Sequence, residues 1–156
     1  MPVDPMSGRM LVDTNVLIYA TLSEDPRHEQ AQQVLAQRHR PDVTMFISVQ
    51  NLAEMYPNLT GPKNQPADSP ELAREKIRSL ARLRGVTVLP LTLETSRLAL
   101  DLCVSAGVTR QGYFDRQLAA LMILEKIPLI LTENVADFTG IGGITPINPF
   151  AQSRSF

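Results

Sequence analysis

Four acids in this 156-residue chain stand where an apolar run gives way to polar residues or opens into a helical pattern. Asp13 directly follows Met10-Leu11-Val12, and Glu54 lies nearly two turns into the helical pattern after the run 43–47. Asp115 opens the pattern leading into the run 128–131, and Asp137 lies five residues beyond Thr132, where that run ends. Carboxylates gathered in one cleft repel and raise each other's pKa, so such a cluster calls for a cation. Mg²⁺ or Mn²⁺ suits oxygen donors, often binds through one or two carboxylates, and leaves positions for water or phosphate oxygens. A metal so held polarises a phosphodiester and generates hydroxide near neutral pH, and two metals stabilise attacking and leaving oxygens together. Phosphodiester hydrolysis is therefore within reach without a histidine, cysteine or lysine base. The same rim could also hold a metal or a partner without turnover.

The elements that must position these acids alternate in type. Met10-Leu11-Val12, Asp13-Thr14-Asn15 and Val16-Leu17-Ile18-Tyr19-Ala20 read as buried strand, polar corner and helix. Asp25-Pro26 reads as a cap with proline at the first helical position, opening a helix to about Arg38. A second strand is expected over 43–47, then a helix capped by Ser48 that ends near Tyr56, because Pro57 opposes its continuation. Residues 57–70 have loop composition and read as an insertion inside the domain. Ser69-Pro70 opens a helix with Ala73, Ile77, Leu80 and Ala81 inward and Arg74, Arg78 and Arg82 as a basic stripe. A third strand over 86–91 and a helix from Thr92 to Gly107 follow, then a helix over 114–126, a fourth strand over 128–131 and a short fifth over 144–147. Near-continuous apolar strands alternating with helices predict an α/β three-layer sandwich with a central parallel sheet of four or five strands.

Ligands of open parallel sheets bind beyond the carboxyl ends of the strands, and all four acids are expected on that rim. Two consecutive helices precede the fourth strand, so Asp115 reaches the rim only if residues 107–113, about 23 Å when extended, retrace the first helix, or if the helices lie oblique to the sheet.

Composition narrows the alternatives. Forty-four per cent hydrophobic and 20% charged residues fit one folded domain, expected over 10–150 with a mobile leader at 1–9 and a tail at 151–156. The single cysteine, Cys103, rules out an internal disulfide or a cysteine metal cluster and suits a reducing cytoplasm; it reads as a small core residue. No run is long enough to span a bilayer and no cleavable signal pattern opens the chain. A net charge of −1 supplies no global attraction for polyanions, so nucleic-acid binding needs a local patch or a bound metal. Arg110 and Arg116 lie close in sequence to the expected rim and are the candidates for gripping a nucleic-acid backbone. His28 and His39 lie far in sequence from all four rim acids, and Gly140-Ile141-Gly142-Gly143 lacks the Lys-Ser/Thr and helix of a phosphate-binding loop.

Taken together, Asp13-Thr14-Asn15-Val16-Leu17-Ile18, Ser48 with Glu54, Asp115-Arg116-Gln117-Leu118-Ala119-Ala120 and Thr132-Glu133-Asn134-Val135-Ala136-Asp137-Phe138 resemble the four signatures of PIN-domain nucleases. The resemblance covers about Met10 to Phe150 and, by chain length, is similar to the VapC-type toxins of toxin–antitoxin pairs. It implies a Rossmann-like fold, a Mg²⁺- or Mn²⁺-dependent endoribonuclease, a cognate antitoxin that blocks the cleft, and a homodimer. The alternative within the same family is an RNA-processing nuclease without antitoxin. By this resemblance Asp13, Glu54 and Asp115 hold the metal, with Asn15, Ser48 and Thr132 as polar support. Many members place an acid two residues after the threonine, where this chain has Asn134; others use an acid at the later position, so Asp137 is taken as the fourth acid and Asn134 as a direct or water-mediated contributor.

Overall fold

The computed structural model describes residues 6–151. Its strands are β1 (Gly8–Val12), β2 (Val43–Ser48), β3 (Val86–Leu89), β4 (Leu129–Leu131) and β5 (Thr145–Ile147). Its α-helices are α1 (Thr14–Thr21), α2 (His28–Ala36), α3 (Val49–Thr60), α4 (Pro70–Ala81), α5 (Leu93–Ala106), α6 (Gly112–Glu125) and α7 (Val135–Phe138). All strand pairs are parallel, in the order β3-β2-β1-β4-β5, with Leu11 opposite both Phe46 and Ile130.

Strand side chains alternate between two faces, and each face has its own core. Met10, Val12, Met45, Ile47 and Leu131 pack with α1 to α4 through Val16, Leu17, Ala31, Met55, Leu59 and Ala73. Leu11, Phe46, Leu89 and Ile130 pack on the opposite face with Leu118, Leu121 and Met122 of α6 and Phe138 of α7. Burial on both faces explains the near-continuous apolar strands, and the expected three-layer sandwich is observed.

Several boundaries differ from expectation. Part of the leader, residues 1–5, and most of the tail, 152–156, lie outside the described residues. Gly8 and Arg9, also assigned to the leader, belong to β1: the Gly8 amide donates to the Asp42 carbonyl at 2.7 Å and the Arg9 guanidinium stacks 4.7 Å from the Phe46 ring centroid. The α2 helix begins at His28 because Asp25 spends its carboxylate on the Arg27 amide and guanidinium, forming a turn first.

Helix α3 runs through Pro57 to Thr60, so the expected insertion shrinks to the segment between Thr60 and Pro70. Pro57 lacks one amide near the helix end, while Met55 and Leu59 on either side are fully buried and Asn58 donates to the Glu54 carbonyl at 2.8 Å. Anchoring by buried side chains outweighs that one missing bond. Ser69 caps α4 as expected, accepting from the Leu72 amide, although Ala81 is exposed rather than inward. Thr92 caps α5, and Gly107 ends it in the left-handed conformation at φ 66°.

The start of α6 does reach the carboxyl edge: Gln50, in the first turn of α3, donates to the Phe114 carbonyl at 3.0 Å. Five residues join Ala106 of α5 to Gly112 of α6, and α5 buries only Thr95, Ala99 and Cys103.

Candidate active site

Connections run outward from β1 to β2 and β3 on one side, and β4 and β5 lie on the other, so the sheet's switch point falls between β1 and β4. A crevice opens at such a point beyond the strand ends. The first residues past these strands are Asp13 and Thr132, tied by backbone bonds from the Asp13 amide to the Leu131 carbonyl (3.0 Å) and from the Thr132 amide to the Ile147 carbonyl (2.9 Å).

Asp13 is 6% exposed and caps α1, its Oδ1 accepting from the Thr14 amide at 2.8 Å. Its Oδ2 accepts the Thr132 hydroxyl at 2.7 Å, and the Asn51 and Asn15 amides approach the two oxygens at 3.4 and 3.5 Å. Burial pushes the Asp13 carboxyl above its ordinary range; the bonds from Thr132 and Thr14 pull it back, and the charges of Glu54 and Asp137 push it up further.

Glu54 comes from α3 and is held by both oxygens: Oε2 accepts the Thr14 hydroxyl at 3.0 Å and Oε1 accepts Gln50 Nε2 at 2.7 Å. Asp115, in the first turn of α6, is half-buried and pushed up to about 6, first by burial and then by the charges of Asp137, Asp13 and Glu54. Arg116 opposes this shift. Asp137 is exposed on α7, a helix of four residues anchored by fully buried Phe138. Its charge is felt by both Asp13 and Asp115, which puts all four acids in one field.

The supporting residues divide differently from expectation. Thr132 donates to Asp13 and accepts from the Asn134 amide at 3.0 Å. Asn134 thus contacts the site through its backbone. Asn15 accepts from the Glu133 amide at 3.2 Å, closing the β4–α7 turn onto α1. Ser48 is fully buried and touches no acid; it exchanges a capping box with Asn51, whose side-chain amide then reaches Thr14 at 3.1 Å and Asp13. Arg110 is exposed in a left-handed conformation at the α5–α6 turn, while Arg116 follows Asp115 directly.

Sequence reasoning missed four polar residues here: Thr14, Asn51, Gln50 and Gln117. Gln50 and Gln117 are only 6% and 8% exposed, and their signal in the sequence is a long amide on the same helix as an expected ligand, four residues before Glu54 and two after Asp115. His28 instead bonds the Tyr19 carbonyl, and Cys103 is buried as expected.

Hard oxygen donors gathered with Arg116 as the single cation among the main influences on Asp115 fit a divalent cation. Among the described residues, no three acids, histidines or cysteines are already drawn into a closed ligand cage. Mg²⁺ needs none, since it binds through one or two carboxylates and retains waters.

An open parallel sheet with buried acid at its switch point defines an α/β protein built around an acidic crevice. The PIN domain family model matches residues 10–140, and the chain belongs to the PIN domain family. No curated protein matches the sequence. Among solved structures, the chain is similar to Mycobacterium tuberculosis VapC20, described as a Sarcin-Ricin loop cleaving toxin, with a TM-score of 0.66, 17% identity, and coverage of 88% of this chain and 99% of that one. It is also similar to FitAcB from Neisseria gonorrhoeae (TM-score 0.64, 14% identity, 92% and 99% coverage). A third is VapBC2 from Rickettsia felis, bound to a DNA fragment from its promoter (TM-score 0.63, 17% identity, 89% and 97% coverage). These identities establish a shared fold. No helix among the described residues is long and apolar enough to cross a membrane.

Proposed function

We propose that this protein is a Mg²⁺- or Mn²⁺-dependent endoribonuclease and the toxin of a toxin–antitoxin pair, with Asp13, Glu54, Asp115 and Asp137 as its metal-holding acids. The observation that carries the reading is the buried Asp13 carboxylate, fixed by Thr132 and Thr14 while three further acids bear on the same crevice. A bound divalent cation supplies polarisation of the scissile phosphodiester and an activated water. The chain supplies orientation. Thr132, Thr14 and Asn51 hold Asp13 in one rotamer, Thr14 and Gln50 hold Glu54, and Arg116 offers a charged donor to an RNA phosphate. Attack by water leaves the ribose 2′-hydroxyl uninvolved, so the products carry 5′-phosphate ends. The acids that crowd the crevice also make it a natural seat for a basic side chain of an antitoxin.

The likeness to VapC20 supports a structured RNA as substrate, and the VapBC2 and FitAcB likenesses support an antitoxin partner. A homodimeric assembly is proposed on the family resemblance alone. The test is cleavage of structured RNA by purified protein in Mg²⁺ or Mn²⁺, lost in EDTA and in Asp13→Asn. Growth arrest on expression, relieved by a co-expressed small partner, separates a toxin from an RNA-processing nuclease, which arrests nothing. Metal or partner binding with no cutting of any RNA supports a non-catalytic module instead.

A further inference from the structure

We propose that Gln50 and Gln117 form a buried amide relay that sets Glu54 against the turn carrying Asp115, making Gln50 a positioning residue for divalent-cation binding. This inference rests on the nuclease reading above and adds a device to that site. Gln50 Nε2 donates to Glu54 Oε1 at 2.7 Å and to the Phe114 carbonyl at 3.0 Å, the peptide that leads directly into Asp115. Gln50 Oε1 accepts Gln117 Nε2 at 2.7 Å, and Gln117 Oε1 accepts the Tyr113 hydroxyl at 2.9 Å. One amide nitrogen thus joins an acid on α3 to the first turn of α6, although 64 residues of sequence separate Gln50 from Phe114.

The partners fix the orientation of the relay. A reversed Gln50 would turn its oxygen toward a carboxylate and a carbonyl, both acceptors, and leave its nitrogen facing Gln117. Buried amides are costly unless satisfied, and here each side-chain amide bonds through both its nitrogen and its oxygen. The chemical type matters as well. An arginine or lysine beside Glu54 would hold it equally well but cancel its charge, whereas a neutral amide fixes the carboxylate and leaves the negative field available to a cation. With Thr14 on Oε2, Glu54 is restrained at both oxygens by neutral donors.

The test is Mn²⁺ binding, read from the free-ion electron paramagnetic resonance signal, for wild type, Gln50→Met, Glu54→Gln and the double variant, with kcat and KM for RNA measured alongside. Loss of a group that orients a metal ligand weakens binding by about 10–100-fold, and Gln50→Met is expected in that range, with kcat falling more than KM rises. On the Glu54→Gln background, Gln50→Met is expected to cost several-fold less, because the share of its effect that runs through Glu54 is already gone and only the hold on the Phe114 carbonyl remains to lose. A merely structural Gln50 would weaken Mn²⁺ by the same factor on both backgrounds, which overturns the proposal. Wild-type Mn²⁺ affinity and kcat in Gln50→Met, while the parent binds and cuts, also overturns the relay and leaves the nuclease reading standing. A parent that neither binds Mn²⁺ nor cuts RNA overturns both. Should Gln50→Met lose its cooperative melt in EDTA, Gln117→Leu carries the same cycle, with a smaller loss expected on the wild-type background and a smaller one still on Glu54→Gln.

Discussion

The Thr132 hydroxyl donates to Asp13 Oδ2 at 2.7 Å, joining the first residues beyond two adjacent strands across 119 positions of sequence. Parallel pairing of Val12 with Leu131 puts the two residues side by side, so sheet register and site geometry have one origin. Removing the donor leaves a buried carboxylate with one fewer stabilising bond, and its pKa rises further. Thr132→Val is therefore expected to lose about 10-fold or more in kcat at pH 7 and to move the rising limb of the pH profile upward, with Thr132→Ser near wild type. A Thr132→Val profile superimposable on wild type would contradict this role.

Asp115 makes the folded protein less stable when ionised. Its folded carboxyl titrates near 6 against an ordinary value of 3.8, so the folded state binds the proton more tightly and stability in EDTA falls as pH rises from about 4 through 6. Asp115→Asn removes this penalty. Its melting temperature in EDTA is expected to exceed wild type at pH 7.5 and to converge with it near pH 4, while cleavage is lost. Equal melting at both pH values would show that Asp115 carries no such strain.

Arg116 is the cation that draws the Asp115 carboxyl down. In Arg116→Gln that carboxyl rises further, so activity is expected to move toward higher pH, and KM for RNA to rise with one fewer phosphate contact. The slope of log KM against log salt should then shrink by about 0.7 for a single-stranded substrate. An unchanged salt slope would remove Arg116 from the RNA interface.

Asp137 and Asn134 compete for the fourth position, and both Asp13 and Asp115 feel the charge of Asp137. Asp137→Asn is expected to weaken Mn²⁺ binding and cleavage at least 10-fold, whereas Asn134→Ala, whose backbone still bonds Thr132, stays within about 3-fold of wild type. The reverse order would give the position to Asn134.

What the sequence made legible follows the range of the interactions. Asp13-Thr14-Asn15 between an apolar strand and a helix is a local signal, and the capping serine and threonine of α4 and α5 are equally local. Pro57 misled because its cost is local while the burial of Met55 and Leu59 that offsets it is tertiary. Gly8 and Arg9 read as a mobile leader because glycine and arginine carry no apolar pattern, yet β2 supplies their partners. Gln50 and Gln117 resemble ordinary helix residues until α3 and α6 come together; only then do their amides become the link between two acids. Polar networks between helices are therefore the part of this site that spacing along the chain does not reveal.

Incubating a structured RNA with wild type and Asp13→Asn in parallel, with Mg²⁺, Mn²⁺ or EDTA, and identifying the product ends tests the metal-dependent nuclease outright. Discrete cleavage is expected with either metal, with 5′-phosphate ends and no cutting in EDTA or by Asp13→Asn. Cleavage that survives EDTA or Asp13→Asn, or that leaves 2′,3′-cyclic phosphate, would contradict it.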